Sequence, residues 1–106
     1  MKNLSSKIYS FGMFQLNASE RLLFDGVKTI PMSPKVFDTL KMLVENSGRV
    51  LSKEKMMTEI WEDSFVEENN LAQNISILRR ILGETKNVKF IETVPKYGYR
   101  FIAPVS

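Results

Sequence analysis

The residues that decide the fold are NNLAQNISILRRILGE, 69–84, followed after a short polar stretch by IETVPKYGYRFIAPV, 91–105. In the first segment Leu71, Ile75, Leu78 and Leu82 recur at helical spacing, and Gly83 stands where a left-handed C-cap belongs, which predicts a helix over 69–82. With those leucines and Ile75 turned inward, Asn70, Gln73, Asn74, Ile77 and Arg80 share a second face. Carboxamides can pair bidentately with the N6 and N7 edge of adenine, and an exposed aliphatic group such as Ile77 can meet a thymine methyl. Ala72, Ser76 and Arg79 lie on a third face, placed to approach phosphates. A plainer reading stays open: solvated amides, with Arg79 and Arg80 helping the helix C-terminus through its dipole. Against it, amides are poor surface helix formers, and a surface isoleucine among them has no evident structural purpose.

In the second segment two extended runs join through Pro95, Lys96 and Tyr97, which predicts a terminal hairpin. Lys96, Tyr97 and Arg100 cluster at its turn as candidates for phosphate or minor-groove contact. Tyr99 and Phe101 read as core. Gly98 allows a tight turn or a close backbone approach, with turn geometry the favoured reason.

Working upstream, Ser52 opens a helix of about ten residues, with Leu51 and Met56 at the spacing of a hydrophobic staple and Met57, Ile60 and Trp61 turned inward. Before it, Ser33 and Pro34 start a helix carrying Val36, Phe37, Leu40, Leu43 and Val44, ended by Asn46, Ser47 and Gly48. The first thirty residues read as short strands, KIYSF, MFQLN, RLLF and VKTI, with Asp25-Gly26 as a two-residue hairpin signal. The expected order is a four-stranded antiparallel sheet, three helices and a hairpin, an α+β fold in a single domain over 1–106.

Composition narrows the chemistry. The 106 residues contain no cysteine and no histidine, which removes disulfides, thiolate zinc sites, thiol nucleophiles and imidazole-dependent triads. No stretch approaches the roughly 18 consecutive apolar residues of a spanning helix, and the polar opening lacks a signal peptide's apolar core, so a cytoplasmic location is expected. The net charge is +3, but its distribution says more. Over 54–68 six acids face one base, whereas over 71–106 six bases face two acids. The carboxylate pairs Glu62 with Asp63 and Glu67 with Glu68 have no evident partner to perturb them, so an enzyme is not expected.

Together the two quoted segments resemble the effector domain of OmpR/PhoB-type winged helix-turn-helix regulators, and the similarity runs from the first strand to the last. In particular the chain resembles the ToxR/CadC-like branch, in which this domain opens the protein, because the pattern begins within ten residues of Met1. The resemblance implies a third helix in the major groove, a hairpin wing on the adjacent minor groove or backbone, and a loop between the second and third helices that touches RNA polymerase. Here that loop is 62–68, with Glu62, Asp63, Glu67 and Glu68 as contact candidates; a merely solvated loop is the alternative. Many relatives place an arginine where this chain has Pro95, which either shifts the minor-groove contact to Lys96 or Tyr97 or removes it.

The expected function is sequence-specific binding of double-stranded DNA in transcriptional regulation, the alternative being a winged-helix module that binds protein. The base-reading set is Asn70, Gln73, Asn74 and Ile77. The backbone set is Ser76, Arg79, Arg80, Thr93, Lys96, Tyr97 and Arg100. Dimers on tandem half-sites are implied by the resemblance. No cofactor, metal or small-molecule substrate is expected, and a longer parent could be anchored in a membrane through segments outside this chain.

Overall fold

The computed structural model describes residues 7–62 and 64–106. Ile8–Phe11 (β1), Phe14–Asn17 (β2) and Leu22–Phe24 (β3) form an antiparallel sheet in the order β1-β2-β3, with Leu16 between Tyr9 and Leu23. Period-two alternation buries Phe14 and Leu16 and leaves Gln15 exposed. The expected fourth strand is reduced to one bridge, Thr29 to Phe24, beside an Ile30 N–H donated to the Leu23 carbonyl at 2.8 Å. The cause is local. Asp25 Oδ1 accepts the N–H groups of Val27 at 2.8 Å and Lys28 at 2.9 Å, so the reversal occupies 25–28 instead of Asp25-Gly26 alone. Pro31, without an N–H, cannot extend the ladder beyond it.

Helix α1, Pro34–Glu45, starts as its sequence dictates: Ser33 Oγ accepts the Val36 N–H and Pro34 occupies the first turn. Helix α2, Lys53–Ile60, is capped by Ser52 Oγ, which accepts the Lys55 N–H at 3.1 Å, and the staple residues Leu51 and Met56 are both buried. Helix α3, Asn69–Ile81, ends in a Schellman motif. The Glu84 N–H reaches the Arg79 carbonyl, the Gly83 N–H reaches the Arg80 carbonyl, and Gly83 sits at φ +75°.

The C-terminal hairpin, Ile91–Val94 (β5) and Gly98–Phe101 (β6), gains a third strand that the sequence reading missed, Val50–Ser52 (β4), giving the order β4-β6-β5. Three residues leading into a helix carry too little alternation to be recognised. Their pairing depends on Gly98, where a Cβ would collide with the Leu51 carbonyl oxygen. The favoured explanation of that glycine is therefore replaced: it permits close approach of two strands, and the turn itself lies elsewhere.

The helices and both sheets share one core around Leu16, Leu40, Leu43, Met56, Leu71, Ile75, Leu78 and Phe101, all essentially inaccessible to water. Phe11, Phe14, Phe90 and Phe101 form a ring cluster with centroids 5.1–6.4 Å apart, in which Phe11 meets Phe90 and Phe101, and Phe14 meets Phe90, edge to face, while the Phe11–Phe14 and Phe90–Phe101 pairs are tilted. The Tyr99 and Phe101 side chains are core, as expected. Among the described residues no helix is long and apolar enough to cross a membrane.

Candidate nucleic-acid interface

The apolar stripe of α3 decides what the helix leaves outside. With Leu71, Ile75 and Leu78 buried, the exposed arc carries Asn69, Ala72, Gln73, Ser76 and Arg80, flanked by the half-buried Asn70 and Ile77. Gln73 is at its centre, and no partner holds the side chains of Gln73, Ser76 or Arg80 among the described residues. Asn70 is partly engaged, its Nδ2 donating to the Glu67 carbonyl at 3.1 Å at the start of the helix. Asn69, which the sequence reading omitted, is exposed at the first helical position.

Asn74 departs from the expected face. It is 8% exposed, and its Nδ2 donates to Thr39 Oγ1 at 3.2 Å and to the Lys35 carbonyl at 3.3 Å, both on α1. The core arc of α3 is wide enough to take in the position before Ile75, and α1 offers acceptors there that an apolar residue would leave without this donor. Its assignment as a base reader is withdrawn: the carboxamide fastens α3 to α1. An asparagine looks the same in sequence whether its amide faces water or a buried hydroxyl.

Three members of the expected backbone set are also engaged within the domain. Arg79 donates from Nη2 to the Ile91 carbonyl at 3.1 Å and to Thr93 Oγ1 at 2.9 Å, and its Nε lies 3.5 Å from Glu84 Oε1. Arg100 makes a two-point contact with Glu92 Oε1, at 2.8 Å from Nε and 2.6 Å from Nη2. Glu84 itself is nearly buried, its side chain 6% exposed, and Oε2 accepts the N–H groups of Phe90 and Ile91 at 2.7 Å each. Sequence reasoning passed over this glutamate. Following Gly83, it looks like an ordinary solvated residue after a helix, yet it ties the C-terminal end of α3 to the wing.

The wing turn remains outward. The Tyr97 N–H closes on the Val94 carbonyl at 3.0 Å. With Pro95 fixed near φ −65°, Lys96 takes the left-handed region at φ +65°, the arrangement of a turn with proline second and a positive φ third. Lys96 and Tyr97 are both exposed, and the Lys96 ammonium has no acidic partner among the described residues.

Between α2 and α3, Glu62 and Glu67 are exposed; Asp63 lies outside the described residues. Phe65 stands fully in solvent beside a shallow depression lined by Met57, Trp61 and Val66. Glu68 is held by Lys53, Oε2 to Nζ at 2.7 Å, and this hydrogen bond keeps the Lys53 ammonium above the ordinary lysine range. Lys53 was not among the residues singled out from sequence, because a lysine at a helix start is usually a solvated one.

Comparison with known proteins places this geometry. Residues 27–101 match the family model described as transcriptional regulatory protein, C terminal. The transcriptional regulator HilA of Salmonella typhi is 38% identical over 102 residues, covering 96% of this chain but 18% of HilA, so the chain spans a small part of that relative's length. The structure of the DNA-binding domain of E. coli CadC superimposes with a TM-score of 0.83 at 27% identity, covering 96% of this chain and 98% of that one. The DNA-binding domain of Klebsiella pneumoniae RstA, in complex with the RstA box, shares the fold with a TM-score of 0.77 at 23% identity over 91% of this chain and 97% of that one. None of these is a family of enzymes. The chain belongs to the OmpR/PhoB-type winged helix-turn-helix domains, the DNA-binding C-terminal domain family of transcriptional regulatory proteins, and is similar to members of its ToxR/CadC-like branch.

Proposed function

We propose that this domain reads a specific duplex through Gln73 at the centre of α3, with Asn69, Asn70 and Ile77 beside it, and controls transcription from the site it occupies. The observation that carries this reading is the composition of the outward arc of α3: an amide, a hydroxyl and an arginine, unpaired among the described residues, on a helix whose opposite side is buried. Such an arc suits a major groove, where donor and acceptor patterns distinguish all four base pairs. Ser76 and Arg80 would hold phosphates alongside, and Lys96 and Tyr97 would extend the contact to the backbone or minor groove next to it. Arg79, Thr93 and Arg100 act first as internal fasteners and reach phosphate only with the donors they have left over.

RstA was solved with its DNA box; for this domain we infer two copies on tandem half-sites, the arrangement that the family resemblance implies. The loop 62–68 supplies a protein-facing surface. Fully exposed Phe65 flanked by Glu62 and Glu67 supports RNA polymerase as its partner, since an aromatic anchor in an acidic rim is poorly suited to phosphate. A cytoplasmic location follows from the proposed access to the chromosome.

Selection of bound duplexes from a random pool tests the reading, with binding repeated at about 50 mM and about 200 mM salt. An enriched motif that weakens with salt is the expected result. No binding at either salt would transfer α3 to a protein partner.

A further inference from the structure

Lys53 joins the two elements that face the nucleic acid. Its backbone N–H donates to the carbonyl of Tyr97 in the wing turn at 2.9 Å, and its ammonium reaches across to Glu68, the residue that precedes the first turn of α3, at 2.7 Å. A residue bonded at one end to the wing and at the other to the start of the recognition helix lies in the notch between them, on the path a phosphate strand would take with both elements seated. Its side chain is 29% exposed and that of Glu68 62% exposed, so both are open to an incoming anion. Ion pairs at this exposure add little to stability, so exchanging one partner for another costs little. An approaching phosphate repels the carboxylate and attracts the ammonium, whose flexible stem and three donors let it turn from one oxygen to another.

We propose that Lys53 is a phosphate-binding residue of the interface and that Glu68 is its competitor within the domain, so that the pair sets both the affinity for DNA and its dependence on salt. The proposal rests on the DNA-binding reading above and goes beyond it. Glu68 becomes a restraint on DNA binding, and Lys53 joins Arg80 and Lys96 in holding the backbone. While the carboxylate holds the ammonium, the lysine–phosphate contact, and the cation it releases from the DNA, is only partly made. Removing the carboxylate restores that release.

The test uses the 106-residue chain and a mixed-sequence duplex of about 30 base pairs, titrated between about 50 and 200 mM salt, because binding through the backbone needs no identified operator. Glu68→Gln is expected to tighten binding several-fold at the lower salt and to steepen the slope of log K against log salt by about 0.9, one added phosphate contact. Adding Lys53→Gln to that variant should return the slope to the wild-type value or below. A Glu68→Gln slope equal to wild type overturns the proposal. So does a steepened slope that persists in the double variant, which would mean that Glu68 repels DNA directly and Lys53 takes no phosphate. Circular dichroism of each variant separates these outcomes from unfolding, and Glu68→Gln, at a mostly exposed position, keeps the test standing if Lys53→Gln proves unstable. Wild-type chain that ignores the duplex at both salts overturns the DNA-binding reading itself, a result distinct from either failure above.

Discussion

Replacing Glu84 with alanine should unfold the link between the recognition helix and the wing. The carboxylate is almost sealed from water and accepts two backbone N–H bonds at 2.7 Å, from Phe90 and Ile91, while its other oxygen faces Arg79. Hydrogen bonds to a charged acceptor contribute about 1.5–3 kcal/mol each, and an N–H left buried without an acceptor costs about 1–3 kcal/mol. These are two views of one loss, so they are not summed. The carboxylate's own desolvation, recovered on its removal, offsets part of it. The net expectation is about 2–4 kcal/mol, a large share of the roughly 5–15 kcal/mol typical of such a domain. Urea denaturation followed by tryptophan fluorescence of Trp61 measures it as a lower midpoint at unchanged slope. Glu84→Gln keeps an oxygen acceptor for the two N–H groups and loses only the charge, so it should cost about half as much. A loss under about 0.5 kcal/mol for the alanine variant would refute the reasoning, and equal losses for alanine and glutamine would show that N–H acceptance is not the source of the stability.

Gln73→Ala and Asn74→Ala should behave oppositely: the first changes base preference in selected duplexes by about 1–3 kcal/mol at one or two positions and leaves the urea midpoint alone, whereas the second lowers stability by about 1–2 kcal/mol through its lost bonds to α1 and leaves base preference unchanged. Gly98→Ala drives a methyl into the Leu51 carbonyl and should separate β4 from the hairpin, read as loss of hydrogen-exchange protection at 50–52 before global unfolding. The N–H groups of Lys28 and Val27 hold the Asp25 carboxyl below its usual value of 3.8, so the stability it confers is present above that pH and fades as pH falls through the lower folded value. Asp25→Ala should accordingly flatten the acid limb of the stability profile, and an unchanged limb would assign that limb to other carboxylates.

Local rules carried most of the fold. Capping serines at 33 and 52, the 3.6-residue recurrence of Leu71, Ile75 and Leu78, and glycine after the last turn of α3 each act within a few residues, so they are legible in order along the chain. The resemblance added the winged-helix arrangement, and the structure supports it in all three helices and the C-terminal hairpin, with an N-terminal sheet of three strands in place of four. Most of what failed depended on partners distant in sequence, while the fourth strand failed on a local turn. Strand β4 exists because β6 lies beside it, and the expected fourth strand dwindles because Asp25 prefers the nearer N–H groups.

The same division runs through the interface. The sequence by itself determined which helix and which hairpin face outward, because burying four apolar residues at helical spacing forces the remaining arc toward solvent. Only the tertiary structure decided which polar residues on that arc are free. Asn74 and Gln73 are adjacent and chemically alike, yet one meets the Thr39 hydroxyl and the other meets water. Arg79 and Arg80 differ likewise, one bound to Thr93 and the Ile91 carbonyl and the other free among the described residues. The physical reason is that a polar side chain takes whichever partner the packing brings within about 3 Å, and packing is a property of segments far apart in the chain.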